Sequence, residues 1–93
     1  MRFEWDAEKA SINQKKHGVT FEEAQTVFGD YDALRRFDPD HSEDEDRFIL
    51  LGMSAVLRIL VVCHCYREND EKIRIISARK ATKKESAAYE RRK

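Results

Sequence analysis

The sequence predicts an α+β protein: an antiparallel sheet of about four strands, with two N-terminal helices and one C-terminal helix packed against it. Three observations carry that expectation. The stretches "RFILLGM", "LRILVVCHCY" and "IRIISAR" are apolar, rich in branched residues and separated only by short turns, as in an antiparallel meander. Two capping boxes, Thr20 with Glu23 and Thr82 with Glu85, mark helix starts on either side of that run. Phe21, Ala24, Val27 and Phe28 fall on one face of the helix that the first box opens, so that helix packs on the core.

In chain order, Phe3 and Trp5 alternate around Glu4 as a short first strand. Asp6 caps the next helix, with Glu8 in the first turn where its charge suits the dipole. That helix runs to about Lys16 and stops at "HG". Gly18 is free to take the left-handed conformation there, and a cationic His17 suits the C-terminal end. In the box at Thr20, Thr20 and Glu23 satisfy each other's free amides, and Gly29-Asp30 ends the second helix. "YDALRRF" reads as a strand and "DPDHSEDED", with the only proline, as an acidic loop. After the two central strands "RENDEK" turns the chain and "IRIISAR" returns it. Thr82 then opens a last helix to about Arg91. The order is β-α-α-β-β-β-β-α, and 93 residues fit one domain with a single modest core.

Composition narrows the function classes. Charged residues make up 39% of the chain, against roughly 25% in an ordinary globular protein. No apolar run approaches the ~20 residues of a membrane span, and "MRFEWDAEKA" lacks the apolar core of a signal peptide. Cys63 and Cys65, two apart in a strand, cannot close a normal disulfide. A reducing cytoplasm is the expected location. Net charge is zero, yet residues 1–30 carry 4 basic and 6 acidic side chains (−2), residues 31–56 carry 3 and 7 (−4), and residues 57–93 carry 11 and 5 (+6). A basic C-terminal module of this kind points to an anionic partner, nucleic acid above all. The alternative is a solvated helix face with a frayed tail of Arg91, Arg92 and Lys93.

If the last hairpin turns at Asn69-Asp70 as a two-residue type I′ loop, Tyr66 faces Ile73, His64 faces Ile75, Val62 faces Ser77 and Leu60 faces Arg79. Arg58 then lies diagonal to Arg79 on the same face. Lys80 joins them in the connection, and Lys83 and Lys84 open the last helix beside them. A helix N-terminus offers unsatisfied amides, and an arginine fork holds two phosphate oxygens at once. The cluster depends on register: a slip of one residue sends Arg58 and Arg79 to opposite faces.

The stretches "FEWDAEKASINQKKHGVTFEEAQTVF", "DPDHSEDEDR" and "RIISARKATKKESAAYE" resemble the BrnT toxin family over nearly the whole chain. "KHGV-TFEEA" together with "RIISAR" and a closing "YE" is a highly specific combination. The resemblance implies a RelE-like fold and an endoribonuclease toxin of a type II toxin–antitoxin module. In that superfamily RNA is cut without metal by attack of the ribose 2′-hydroxyl on the adjacent phosphorus, with basic side chains stabilising the transition state. The implied partner is a BrnA-type antitoxin with a ribbon-helix-helix part, in a heterotetramer or larger assembly, with operator DNA reached only through that antitoxin. By the same resemblance Arg79 and Arg67 match basic positions of the family pattern, and Arg58 matches a basic residue that opens the middle strand. Cys65 stands where many members have a small polar residue. In the assumed hairpin Arg67 lies roughly 20 Å from the Arg79 end, at ~3.3 Å per residue.

Each candidate has a plainer reading. Arg79 is a strand-end ion-pair residue or a phosphate ligand, and Arg58 a polar strand opener or part of the site. His64 is a buried, hydrogen-bonded histidine or, on the Arg79 face, an acid or base. Tyr89 packs in the core or contacts a 2′-hydroxyl or phosphate. Lys80, Lys83 and Lys84 are solvated or bind RNA. His41 reads as structural within its acidic loop, which either confines RNA to one side or docks a basic part of the antitoxin. The three side chains of "CHC" cannot converge on a metal from an extended strand, so no metal or other cofactor is expected. The rival function is a non-catalytic protein- or nucleic-acid-binding module acting as co-repressor with its partner.

Overall fold

Local signals set the helix boundaries. In the computed structural model, which describes residues 1–92, Asp6 accepts a hydrogen bond from the Lys9 amide (3.0 Å) and starts α1 (Ala7–His17). Lys93, the end of the basic tail, lies outside the described residues. Gly18, at φ +68°, closes α1 by donating its amide to the Gln14 carbonyl (2.8 Å). Thr20 caps α2 (Phe21–Thr26), which tightens into a 3₁₀ turn over Val27–Gly29. The box here is only half made. Thr20 Oγ1 accepts from the Glu23 amide (3.1 Å), but the Glu23 carboxylate turns to Arg58 and to Ser54 Oγ (2.7 Å). A charged, bidentate partner outcompetes a single amide. At α3 (Lys83–Arg92) the box is complete: Glu85 N–H donates to Thr82 Oγ1 (3.1 Å) and Thr82 N–H to Glu85 Oε1 (2.8 Å).

The strands are β1 (Arg2–Glu4), β2 (Leu34–Phe37), β3 (Arg47–Met53), β4 (Ile59–Arg67) and β5 (Lys72–Lys80). They form one five-stranded sheet in the order β1-β5-β4-β3-β2. The expected antiparallel sheet of about four strands is corrected in one respect: β1 adds a fifth, edge strand that runs parallel to β5. The chain leaves β1 through α1 and α2 to the far edge and meanders back, which returns β5 beside β1 in the same direction. Three residues are too short a run to reveal such a pairing beforehand. The helices also divide. Side chains of α1 and α2 pack on one face, whereas Thr82, Lys84, Glu85 and Ala88 of the α3 segment lie beside Leu34, Ile49, Leu51 and Val61 of the other.

The core fills the first face. Leu50, Leu60, Val62, Ile75 and Ala78 meet Val19, Phe21, Ala24 and Val27, with Trp5 edge-on to Phe21 (6.0 Å) and Phe3 edge-on to Phe28 (5.3 Å). The last hairpin turns at Asn69-Asp70 as expected. Both residues have positive φ (+56° and +67°), and Glu71 N–H donates to the Glu68 carbonyl (3.1 Å). Among the described residues no helix is long and apolar enough to cross a membrane.

Candidate active site

The face not covered by α1 and α2 is a field of arginines. Because Leu60, Val62 and His64 of β4 point into the core, Val61, Cys63, Cys65 and Arg67 must point the other way. Their cross-strand partners share that face: Arg47 opposite Cys65, Ile49 opposite Cys63, Lys72 opposite Arg67, Arg74 opposite Cys65, and Arg79 opposite Val61. Arg36 of β2, opposite Ile49, joins them. Carboxylates are interleaved: Arg74 pairs with Glu4 (2.7 Å), Arg67 with Glu45 (2.9 Å) and Arg79 with Glu85 (2.8 Å).

A β-bulge sets this arrangement. Between His64↔Ile75 and Cys63↔Ser77 the β5 strand carries one extra residue, Ile76. On the turn side of the bulge the expected register holds, with Tyr66 opposite Ile73. Beyond it the pairing slips by one, so Arg79 faces Val61 rather than Leu60. Among the described residues the outer edge of β5 has no strand partner past Arg74. There the buried Asn13 of α1 takes over, its Nδ2 donating to the Ala78 carbonyl (2.9 Å) and its Oδ1 accepting from the Ala78 amide (3.1 Å). Asn13 thereby fixes the strand beside Arg79. It also fixes α1, whose last residue is His17.

The result is a groove of about 390 Å³. Ile49, Val61 and Cys63 line it with Ile76 and Ser77, and Arg47, Arg79, His17, His41 and Asp38 supply its charged and titratable groups. Burial pushes the Cys63 thiol up, so the floor presents a thiol rather than a thiolate. Arg79 grips both oxygens of Glu85 (2.8 and 2.9 Å), which raises its own pKa and holds the Glu85 carboxyl down at about 2. Among the described residues no group of three or more His, Cys, Asp or Glu is placed to hold a metal ion.

A family model described as "Ribonuclease toxin, BrnT, of type II toxin-antitoxin system" matches residues 5–85. The chain belongs to the BrnT toxin family. It is similar to the crystal structure of the Brucella abortus ribonuclease toxin BrnT, at 25% identity and a TM-score of 0.65 over 89% of this chain and 99% of that one. No curated protein matches it. The BrnT match takes in every groove residue and ends at Glu85, short of Tyr89.

Within this BrnT-type fold the expected cluster divides. Arg79 and Arg67 share the open face, at opposite ends of the Val61–Arg67 run. Arg58 and Lys80 do not join them, because the bulge carries Leu60 opposite Lys80 and leaves Arg79 on the other side. Arg58 instead grips Glu23 and the Gly18 carbonyl (3.1 Å), tying β4 to the α1–α2 corner. That hydrogen-bonded pair lowers the Glu23 pKa and raises that of Arg58. His64 is likewise on the helix side rather than the Arg79 face. It is fully buried among Phe28, Phe48 and Tyr66, with Nδ1 3.2 Å from the Val62 carbonyl and, among the described residues, no hydrogen-bond partner for Nε2. Burial lowers its pKa to about 4. Tyr89 is buried too, and its hydroxyl donates to Asp30 Oδ2 (2.6 Å). Burial and that carboxylate push its pKa up to about 12, so it anchors α3. Lys84 borders the face beside Arg36, and Lys83 is exposed. Of the groove residues, His17 and His41 have only capping or structural roles in the sequence pattern, and Arg47 and Asp38 carry no motif. For Arg47 a signal existed: counting back along β3 from the buried Leu50 puts it on the outward side.

Proposed function

We propose that this chain is a metal-independent endoribonuclease toxin that binds RNA along the open sheet face and cuts it in the Arg79 groove. One observation carries the reading: arginines from four strands lie on the single sheet face that α1 and α2 leave uncovered, and two of them flank a groove with an apolar floor. The ribose 2′-hydroxyl attacks the adjacent phosphorus, and Arg79 and Arg47 stabilise the charge that builds on the phosphoryl oxygens. Of the five N–H donors of Arg79, two hold Glu85 and one meets the Lys80 carbonyl (3.3 Å), leaving the Nε–H and one Nη2–H for phosphate. Arg67 and Arg74 hold the strand farther along the face, with Lys83 and Lys84 at its border. In the cytoplasm a BrnA-type ribbon-helix-helix antitoxin inhibits the toxin in a heterotetramer or larger complex and alone contacts operator DNA.

The test is incubation of antitoxin-free protein with RNA in the presence of chelator. Cleavage that leaves 2′,3′-cyclic phosphate ends is expected. Folded protein that cuts nothing overturns the reading, and cleavage abolished by chelation overturns its metal-independent form. Arg79→Ala should abolish growth arrest on expression without loss of fold, and a fully toxic variant would remove the groove from consideration. The rival co-repressor reading draws on the carboxylates already paired with Arg67, Arg74 and Arg79. It predicts RNA or protein binding with no cleavage.

A further inference from the structure

The acidic loop between β2 and β3 is built, not loose. Asp38 N–H donates to the Arg47 carbonyl (2.8 Å), extending the β2–β3 ladder by one step. Ser42 Oγ donates to the Asp38 carbonyl (2.5 Å) and accepts from Arg47 N–H (2.9 Å). Between these ties Pro39–His41 makes one 3₁₀ turn that brings His41 back over Asp38, with Nδ1 2.9 Å from Oδ2. Asp38 is buried, whereas 66% of the imidazole is exposed, and both residues line the groove that holds Arg79. A carboxylate against Nδ1 makes that nitrogen the N–H donor, which leaves the Nε2 lone pair as the basic site. None of the described residues hydrogen-bonds Nε2.

We propose that His41, oriented by Asp38, is the general base of the cleavage step; this deepens, and rests on, the endoribonuclease reading above. His41 Nε2 takes the proton of the ribose 2′-hydroxyl, and the released O–H electron pair forms the bond from O2′ to phosphorus. The bond from phosphorus to the 5′-oxygen breaks, its electron pair stays on that oxygen, a proton from water completes a 5′-hydroxyl, and the imidazolium gives its proton to the hydroxide left behind, which restores neutral His41. The other product is a 2′,3′-cyclic phosphate, and no atom changes oxidation state. Asp38 is a positioning residue: it holds the tautomer and favours the imidazolium that forms. The charged and titratable neighbours are His17 from the end of α1, Arg47 from β3, Cys63 from β4 and Arg79 from β5. Asp40, Glu43, Asp44 and Glu45 of the loop line a second hollow that His41 and Arg47 share.

Single-turnover cleavage of an RNA oligonucleotide across pH tests this, with circular dichroism confirming that each variant is folded. In the wild type the rate should rise through an acidic limb as His41 loses its proton. His41→Ala should slow cleavage about 100-fold and abolish that limb. His41→Gln, which keeps a side chain able to hydrogen-bond, should fall equally. Asp38→Asn can turn an amide N–H toward Nδ1 and so loses the tautomer that leaves Nε2 basic; the single-turnover rate should fall about 100-fold while the affinity for the oligonucleotide stays unchanged. An Asp38 that merely held the loop would leave the Asp38→Asn rate near that of the wild type, and that result would overturn its assignment. Wild-type protein that cuts nothing ends the nuclease reading and this one together. Cleavage by the wild type with His41→Ala near the same rate, or a limb that survives His41→Ala and disappears in His17→Ala, ends this assignment alone.

Discussion

Asn13 is the residue through which helix α1 replaces a missing strand, and its removal should be felt in stability before anything else. The side chain sits inside the protein with all of its amide committed. Nδ2 donates to the Val19 and Ala78 carbonyls, both at 2.9 Å, and Oδ1 accepts from the Ala78 amide at 3.1 Å. Each such bond contributes about 1 kcal/mol net, and a buried backbone group left without a partner costs at least as much. Asn13→Leu, which leaves no large cavity, should therefore lower stability by about 3 kcal/mol. For a chain of this size that is a fall of roughly 12–24 °C in Tm, at about 4–8 °C per kcal/mol. Asn13→Asp should be worse, because it sets a carboxylate oxygen against two carbonyls. Thermal and urea denaturation followed by circular dichroism measure this directly. A loss under about 1 kcal/mol for Asn13→Leu would show that water or backbone movement serves the β5 edge as well as the amide does. Ala78 neighbours Arg79, and Asn13 lies one helical turn before His17, so the same substitution should also impair whatever the groove does.

His64 makes stability depend on pH in a defined window. Its folded pKa of about 4 lies below the free value of 6.5, so its contribution is complete above 6.5 and is lost as pH falls toward 4. The full effect is at most about 3 kcal/mol, and His64→Phe should flatten the stability profile between those limits; an unchanged profile would mean that His64 protonates freely in the folded state. Glu85→Gln keeps an acceptor for the Thr82 amide but releases the Arg79 guanidinium, so the affinity for an RNA oligonucleotide in fluorescence polarisation should rise severalfold. Unchanged binding would show that Glu85 and phosphate do not compete. At Gly52 an added Cβ would lie 2.8 Å from the Ala33 Cβ and 2.9 Å from Val27 Cγ1. Gly52→Ala should lower stability by about 1–3 kcal/mol in the same denaturation experiments.

Much of this protein was legible in its sequence because the signals are local. Asp6, Gly18 and the Thr82–Glu85 pair act within one turn of helix, and Asn69-Asp70 closes a hairpin whose neighbouring strands follow from their branched apolar runs. The family was legible for a related reason, since "KHGV-TFEEA" and "RIISAR" are contiguous strings. What a contiguous string could not carry was parity across strands. Ile75 and Ile76 are chemically identical, and only the competition between the core, the edge-bonded Asn13 and the β4 ladder decides which one is the extra residue. That choice sent Arg79 to the open face and left His64, Arg58 and Lys80 on the other side. Tertiary packing also turned Glu23 from its cap to Arg58 and gathered His17, Asp38, His41 and Arg47 from three separate segments around one groove. The elements, their turns and the family rest on near neighbours in the chain and can be read along it. Which cations share a face depends on tertiary packing, because one bulged residue reverses every side chain beyond it.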